Sequence, residues 1–293
     1  MTVCIGLLCA DRNGKPESAL VLASDRLVTR NGVGFEYTMR KMRRISDKCV
    51  IMVAGSAGMG EVICHDVELS VNAAIAGNIQ IEIPCIAQLT ADVYKKIRLM
   101  RVQNEVFDTR GIALQAFYAG TQEQPNSYIA KDIDKQVTEY NLEVSLLVAG
   151  YDNNGAHLYF VGNPGNMPLP CRPGNQFTAG EGSTLAQLSL WETGFHGESL
   201  RKTILAAYIA KCRSERANSV GAGTDMMVID QDGAREMTEA DLGSLKASYI
   251  DYDARVKSAY SEVVSQCTMI NIDPGPQGGS TEALNSGNLS PKD

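Results

Sequence analysis

The apolar positions of this chain fall into two kinds of pattern, and they alternate along its length. TVCIGLLC (2–9) and ALVLAS (19–24) are short apolar runs, and the intervening ADRNGKPES supplies the Asn, Gly and Pro of a turn, so the two runs predict a hairpin. KMRRIS (41–46) and CVIMVAG (49–55), parted by Asp47 and Lys48, predict a second. After Gly55 the period lengthens. GMGEVICHDVELSVNAAIAG and IAQLTADVYKKIRLMRVQNEVF place apolar residues at spacings of three and four, which predicts two consecutive helices with Pro84 in the link. Strand patterns resume at VSLLVAGYD (144–152) and HLYFVG (157–162), joined by an Asn-Asn-Gly turn. STLAQLSLWETG and SLRKTILAAYIAKCRSER predict two more helices, and TDMMVID a strand that ends at Gln231, Asp232 and Gly233. Residues 108–140, which contain TQEQPNS, read as an elaborated connection or small insertion.

Hairpins separated by helix pairs predict two stacked antiparallel sheets, because each sheet must bury both of its faces. The expected class is α+β, a four-layer αββα sandwich, and no repeat or linker interrupts it. The expected domain covers residues 1–235. A helical extension with paired charges follows over 236–267, and the Gly-, Pro-, Ser- and Asn-rich residues 268–293 predict a disordered tail.

Composition narrows the function classes. Of 293 residues 44% are apolar, enough to fill a large core, and the formal charge of −7 with dispersed Lys and Arg leaves no basic stripe for a phosphate backbone. Nucleic acid is therefore not an expected partner. The eight cysteines form no CxxC pair and sit mostly in apolar runs, which suits reduced thiols in a cytoplasmic protein. No basic segment precedes the first apolar run and no apolar run is long enough to span a bilayer, so neither secretion nor a membrane is expected. His65, His157 and His196 show no metal spacing, Trp191 reads as helix packing and Cys4 as a core thiol. No metal or cofactor is called for.

The candidate chemistry lies at the start of the chain. With Met1 removed, Thr2 would carry nucleophile and base on one residue, because its α-amine, with a reference pKa of about 7.7–8.0, can take the hydroxyl proton. Asp25 ends the second predicted strand and Lys41 opens the third, so both can point toward the start of the first. A buried lysine beside the hydroxyl favours the alkoxide, and an aspartate keeps that lysine charged. A structural ion pair at strand ends would look the same in sequence. Gly55 precedes a helix N-terminus, where its N–H could face developing negative charge. The glycines from 55 to 60 also admit a phosphate-binding turn, although the dinucleotide form needs a following parallel strand that residues 61–107 do not supply.

Together these segments resemble proteasome β subunits and their bacterial HslV-type and Anbu-type relatives, with MTVCIG looking most like the Anbu type. ALVLASDR, RKMRRISDKCVIMVAGSAG and VSLLVAGYDNNGAHLYFVGNPG carry the likeness, which spans about residues 2–233 outside 108–140. It implies the N-terminal-nucleophile hydrolase fold, threonine-dependent peptidase activity on peptides or unfolded proteins, and self-assembly into rings or open spirals. An ATPase or adaptor partner stays open. By position, Thr2 matches the nucleophile, Asp25 and Lys41 its electrostatic partners, Gly55 the oxyanion glycine and Ser183 a supporting serine. Met39, Arg43, Val53 and Ala57 match the pocket for the side chain before the cut bond, where Arg43 would favour acidic groups. Glu181 replaces the family's other serine of that turn, and Ala217 and Val220 replace an aspartate and a further serine, with Ser219 or Glu215 as substitutes after a shift of register. These departures leave open an inactive ring or scaffold subunit, and the acyl-enzyme chemistry also admits a transpeptidase.

Overall fold

The computed structural model describes residues 2–10, 16–30, 33–36, 40–121, 128–171 and 174–266. Strands β1 (Cys4–Ala10) and β2 (Pro16–Asp25) form the first hairpin, followed by the small ribbon β3 (Leu27–Arg30) and β4 (Val33–Glu36). The hairpin β5 (Met42–Ser46) and β6 (Cys49–Gly55) leads into α1 (Ala57–Ala76) and α2 (Ile83–Val102). Helices α3 (Leu114–Thr121) and α4 (Tyr128–Glu139) come next, then β7 (Val144–Asp152), β8 (Gly155–Val161), β9 (Leu169–Pro170) and β10 (Gln176–Ala179). Helices α5 (Ser183–Glu192) and α6 (Leu200–Ser214), strands β11 (Thr224–Asp230) and β12 (Gly233–Glu236), and α7 (Glu239–Gln266) complete the described chain.

Two five-stranded antiparallel sheets result, ordered β10-β1-β2-β11-β12 and β5-β6-β7-β8-β9, and the class is α+β. Alternation along each strand decides which core a residue enters. Cys4, Leu22, Met52, Leu147 and Met227 meet in a core shared by the two sheets. Val3, Ile5, Val21 and Val228 face α5 and α6, whereas Cys49, Ile51, Leu146 and Val148 face α1 and α2. Because both faces are buried, the central strands read as unbroken apolar runs. Complete burial of one such leucine contributes about 1.5–3 kcal/mol.

Sequence and structure part company in three places. The stretch 108–140 contains α3 and α4, and α4 closes a satellite core in which Ile133 and Val137, four residues apart, pack with Val102 and Phe107. The compact unit extends to Tyr249 rather than ending at 235, because Leu242, Leu245 and Tyr249 on α7 join the core beneath α6. A second unit begins at Ile250 and is helical to Gln266. The edge strands β9, β10 and β12 and the ribbon β3–β4 are also absent from the sequence reading, being two to four residues long. The predicted tail from 268 and the pocket residue Met39 lie outside the described residues. No helix among the described residues is long and apolar enough to cross a membrane.

Candidate functional site

The register of the first sheet builds the site. Cys4 pairs with Ser24 on β2 and with Ala179 on β10, so the start of the chain lies between the end of β2 and the turn after β10. Asp25, fully buried at 0% exposure, receives five hydrogen bonds there. Its Oδ1 accepts from Thr2 Oγ at 2.8 Å, from the Val3 N–H at 2.9 Å and from Lys41 Nζ at 2.7 Å. Its Oδ2 accepts from the N–H groups of Leu27 and Gly221, each at 3.1 Å. A carboxylate offers about four lone-pair directions, so Asp25 is saturated. Burial alone would raise its pKa. The Lys41 ammonium and the hydrogen bonds from Lys41, Val3 and Gly221 outweigh burial and hold it below the usual carboxylate value.

Lys41 immediately precedes β5 of the other sheet. Its carbonyl accepts the Val53 N–H at 2.8 Å, and its side chain, 10% exposed, carries the charge across to Asp25. The sequence-predicted Thr2, Asp25 and Lys41 are therefore one cluster. A bare ion pair at strand ends would not include the Thr2 hydroxyl.

Thr2 is gripped from behind by a glycine turn. Gly180 has φ +92°, and a Cβ there would lie 2.3 Å from the Thr2 carbonyl oxygen. The Gly182 N–H donates to the same oxygen at 3.2 Å. Gly180 of the GEGS segment is thus required by close approach to Thr2, and Gly182 by close approach to Val220 and Val3, roles that the sequence pattern alone does not assign. In front of Thr2 opens a cavity of about 350 Å³, bounded by Gly55, Gly180 and Glu181 and by residues of the 141–145 segment. Gly55 has φ +98°, and a Cβ there would strike the Glu143 carbonyl oxygen at 2.1 Å. That oxygen accepts the Ser56 N–H at 2.8 Å. Glu143 itself sits at φ +56°, a left-handed conformation that costs a non-glycine residue on the order of 1–3 kcal/mol, and its N–H donates to Asn141 Oδ1 at 2.9 Å.

The other predicted residues are placed differently. Ser183 opens α5; its N–H donates to Gly180 O at 3.0 Å and its carbonyl accepts from Thr178 Oγ at 3.1 Å. Its hydroxyl makes no hydrogen bond to Thr2 among the described residues. Arg43, Val53 and Ala57 lie toward α1, with Val53 packed against Gly60. The Arg43 guanidinium is engaged by Glu68 at 2.8 and 3.1 Å and by Glu61 at 3.3 Å, so it is not a free cation awaiting an acidic ligand. Ala217 and Val220 pack into the core beneath α6, and Val220 would meet a Cβ on Gly182 at 2.6 Å. Glu215 binds Lys211 instead of approaching Thr2, and Ser219 is buried.

Lys211, 0% exposed, is the charged group that the sequence reading missed. Its Nζ donates to Glu215 Oε1 at 2.7 Å, to Gly221 O at 3.0 Å and to Ala222 O at 2.7 Å, and so pins the loop whose Gly221 N–H reaches Asp25. Its signal was a lone lysine four residues after Ala207 on the buried stripe of α6.

Competing chemistries lose support. Ser56 caps α1, its Oγ accepting the Met59 N–H at 3.4 Å, and only antiparallel pairing follows among the described residues, so a dinucleotide turn has no parallel strand to stand on. The Cys4 thiol is pushed up to about 12, by burial above all, and donates to Val53 O at 3.5 Å, as a packed thiol does. His157 is buried with Nε2 2.9 Å from Asp152 Oδ1. The described cysteines are all free thiols, and no cluster of metal-binding side chains occurs among the described residues. Compared with known proteins, the chain matches no protein-family model, and no curated protein matches it.

Proposed function

We propose that the chain is a threonine-dependent peptidase of the N-terminal-nucleophile type, related to proteasome β subunits and sharing their fold. The observation that carries this reading is the convergence of Thr2 Oγ and Lys41 Nζ on one buried oxygen of Asp25. Removal of Met1 would free the Thr2 α-amine beside that cluster. Thr2 Oγ then attacks a peptide carbonyl carbon while its proton passes to the amine, directly or through a water. The Lys41 charge, oriented by ionised Asp25, stabilises the oxygen as it loses its proton. Gly55 lines the same cavity, and its N–H is the assigned donor to the oxyanion. Collapse breaks the C–N bond, the departing amine takes the proton, and water, or another amine, releases the acyl group from Thr2.

The test is intact-mass measurement of the purified protein before and after an epoxyketone. A mass lacking Met1, one adduct, and loss of that adduct in Thr2→Ala are the expected results. Absence of any adduct on folded, Met1-free protein would overturn the proposal. A second reading, a subunit that keeps the fold without turnover, is favoured by the apolar packing of Ala217 and Val220. Intact Met1 on the purified chain would favour it.

A further inference from the structure

The cavity beside Thr2 carries an electrostatic bias. Its lining includes two glutamates, Glu143 just before β7 and Glu181 in the turn before α5, and among its described lining residues there is no lysine, arginine or histidine. Both glutamates are exposed, and neither has an ion-pair partner among the described residues. Two of the cationic groups nearby are committed to carboxylates, and a third, Arg98, lies buried behind Asn163 without one among the described residues. Lys41 is paired with Asp25, and Arg43 with Glu61 and Glu68. A freed Thr2 amine would add at most one positive charge against the two carboxylates.

Two asparagines also line the cavity, and their hydrogen bonds leave complementary groups unused. Asn163 Oδ1 accepts from Arg98 Nε at 3.1 Å, and Asn141 Oδ1 accepts from the Glu143 N–H at 2.9 Å. With each oxygen engaged, the amide NH₂ remains as the group available to a ligand. Arg98 is itself buried and also donates to Val137 O at 2.6 Å and Tyr140 O at 3.0 Å, so the end of α4 and Asn163 are held on one guanidinium. The cavity thus presents fixed donors suited to main-chain carbonyls and a pair of carboxylates suited to a cation.

We propose that this cleft selects peptides bearing a basic side chain, lysine or arginine, close to the bond that Thr2 would attack, and disfavours acidic ones. The proposal rests on the peptidase reading only for the choice of bond, because the charge preference is a property of the cleft. Like charges placed against Glu143 and Glu181 supply the rejection, and the overall charge of −7 adds a long-range bias of the same sign.

The test is calorimetric titration of the wild-type and Thr2→Ala full chains with acetyl-Ala-Ala-Xaa amides, where Xaa is Arg, Gln or Glu, at low and high salt. The arginine peptide is expected to bind about tenfold more tightly than the glutamine peptide at low salt, with the margin shrinking as salt screens it. In Glu143→Gln/Glu181→Gln the margin should fall to within about twofold. Equal binding of the three peptides, tighter binding of the glutamate peptide, no binding of any, or an arginine margin untouched by the double substitution would each overturn the inference. Epoxyketone labelling of Thr2 without a charge preference in binding sinks this inference alone. A clear arginine preference on a protein that is never labelled sinks the peptidase reading and leaves the cleft's selectivity standing.

Discussion

Five donors on one buried carboxylate make Asp25 the residue on which the site's geometry depends. Asp25→Asn keeps the shape but turns one acceptor into an NH₂ group facing donors, and it leaves Lys41 at 10% exposure without its counter-charge. Breaking a buried pair in this way typically costs about 3–5 kcal/mol. The pH dependence follows from the direction of the shift. A carboxyl whose folded pKa lies below its unfolded value of about 3.9 contributes stability above that value and loses it as pH falls through the folded one. In urea denaturation, the gap between wild type and Asp25→Asn should stay level from pH 7 to about 5 and close below about 4; a gap that widens on acidification would refute the assignment. Thr2 and Asp25 were legible because an antiparallel hairpin places its first and last residues side by side, whereas Lys41 and Gly55 reach them from the hairpin of the other sheet. Glu143, Asn141 and Asn163 were not, since they reach the cavity only through pairing of β6 with β7 and through Arg98, contacts that no local pattern encodes.

Helix α1 shows how an element meets the sheet beneath it. Two of its glycines, two positions apart, have opposite surroundings. Gly58 is exposed, and a Cβ there meets nothing within 4 Å, whereas at Gly60 a Cβ would lie 2.2 Å from Val53 Cγ1. Gly58→Ala should therefore stabilise the protein by about 0.4–1 kcal/mol, by restricting the unfolded chain without strain. Gly60→Ala should destabilise it by about 1–3 kcal/mol, because β6 cannot move away without disturbing its pairing with β5 and β7. Thermal melts of the two single variants decide it; equal shifts of one sign would mean that α1 does not pack at Gly60 as described. At this scale the long periodic segments were readable, and the short ones were not. The hairpins and helices α1, α2, α5 and α6 were predicted nearly to their ends, although Pro84 falls in the first turn of α2 rather than in the link before it. The strands β9, β10 and β12 owe their extended form to neighbouring strands rather than to their own few residues.

Across the whole of the unit ending at Tyr249, three cores stack through two sheets, and the site forms where the sheets' strand ends and the α6–β11 loop converge. Apolar packing fixes the separation of these layers but cannot by itself aim an N–H at a carboxylate. Lys211 supplies that directional link from inside the helix layer. Its three acceptors include two backbone carbonyls of the 221–222 loop, and the same Gly221 that takes its ammonium gives its N–H to Asp25. Space against the loop is already closed, since a Cβ on Gly221 would lie 2.7 Å from Leu27 Cβ. Lys211→Met keeps most of the volume and removes the charge, leaving those carbonyls and Glu215 without their donor. Each buried acceptor left unpaired costs about 1–3 kcal/mol, so a loss of about 3–5 kcal/mol in urea denaturation is expected. Glu215→Gln, which keeps an acceptor on a side chain 31% exposed but removes the counter-charge of the buried ammonium, should cost less, about 1.5–3 kcal/mol. Amide hydrogen exchange separates the local effect from the global one. In Lys211→Met the Gly221 amide should exchange faster than global unfolding of the same variant allows, while amides of β6 and β7 follow global unfolding alone. If Gly221 keeps its protection, the loop is held by packing and the buried ammonium has no part in orienting it toward Asp25.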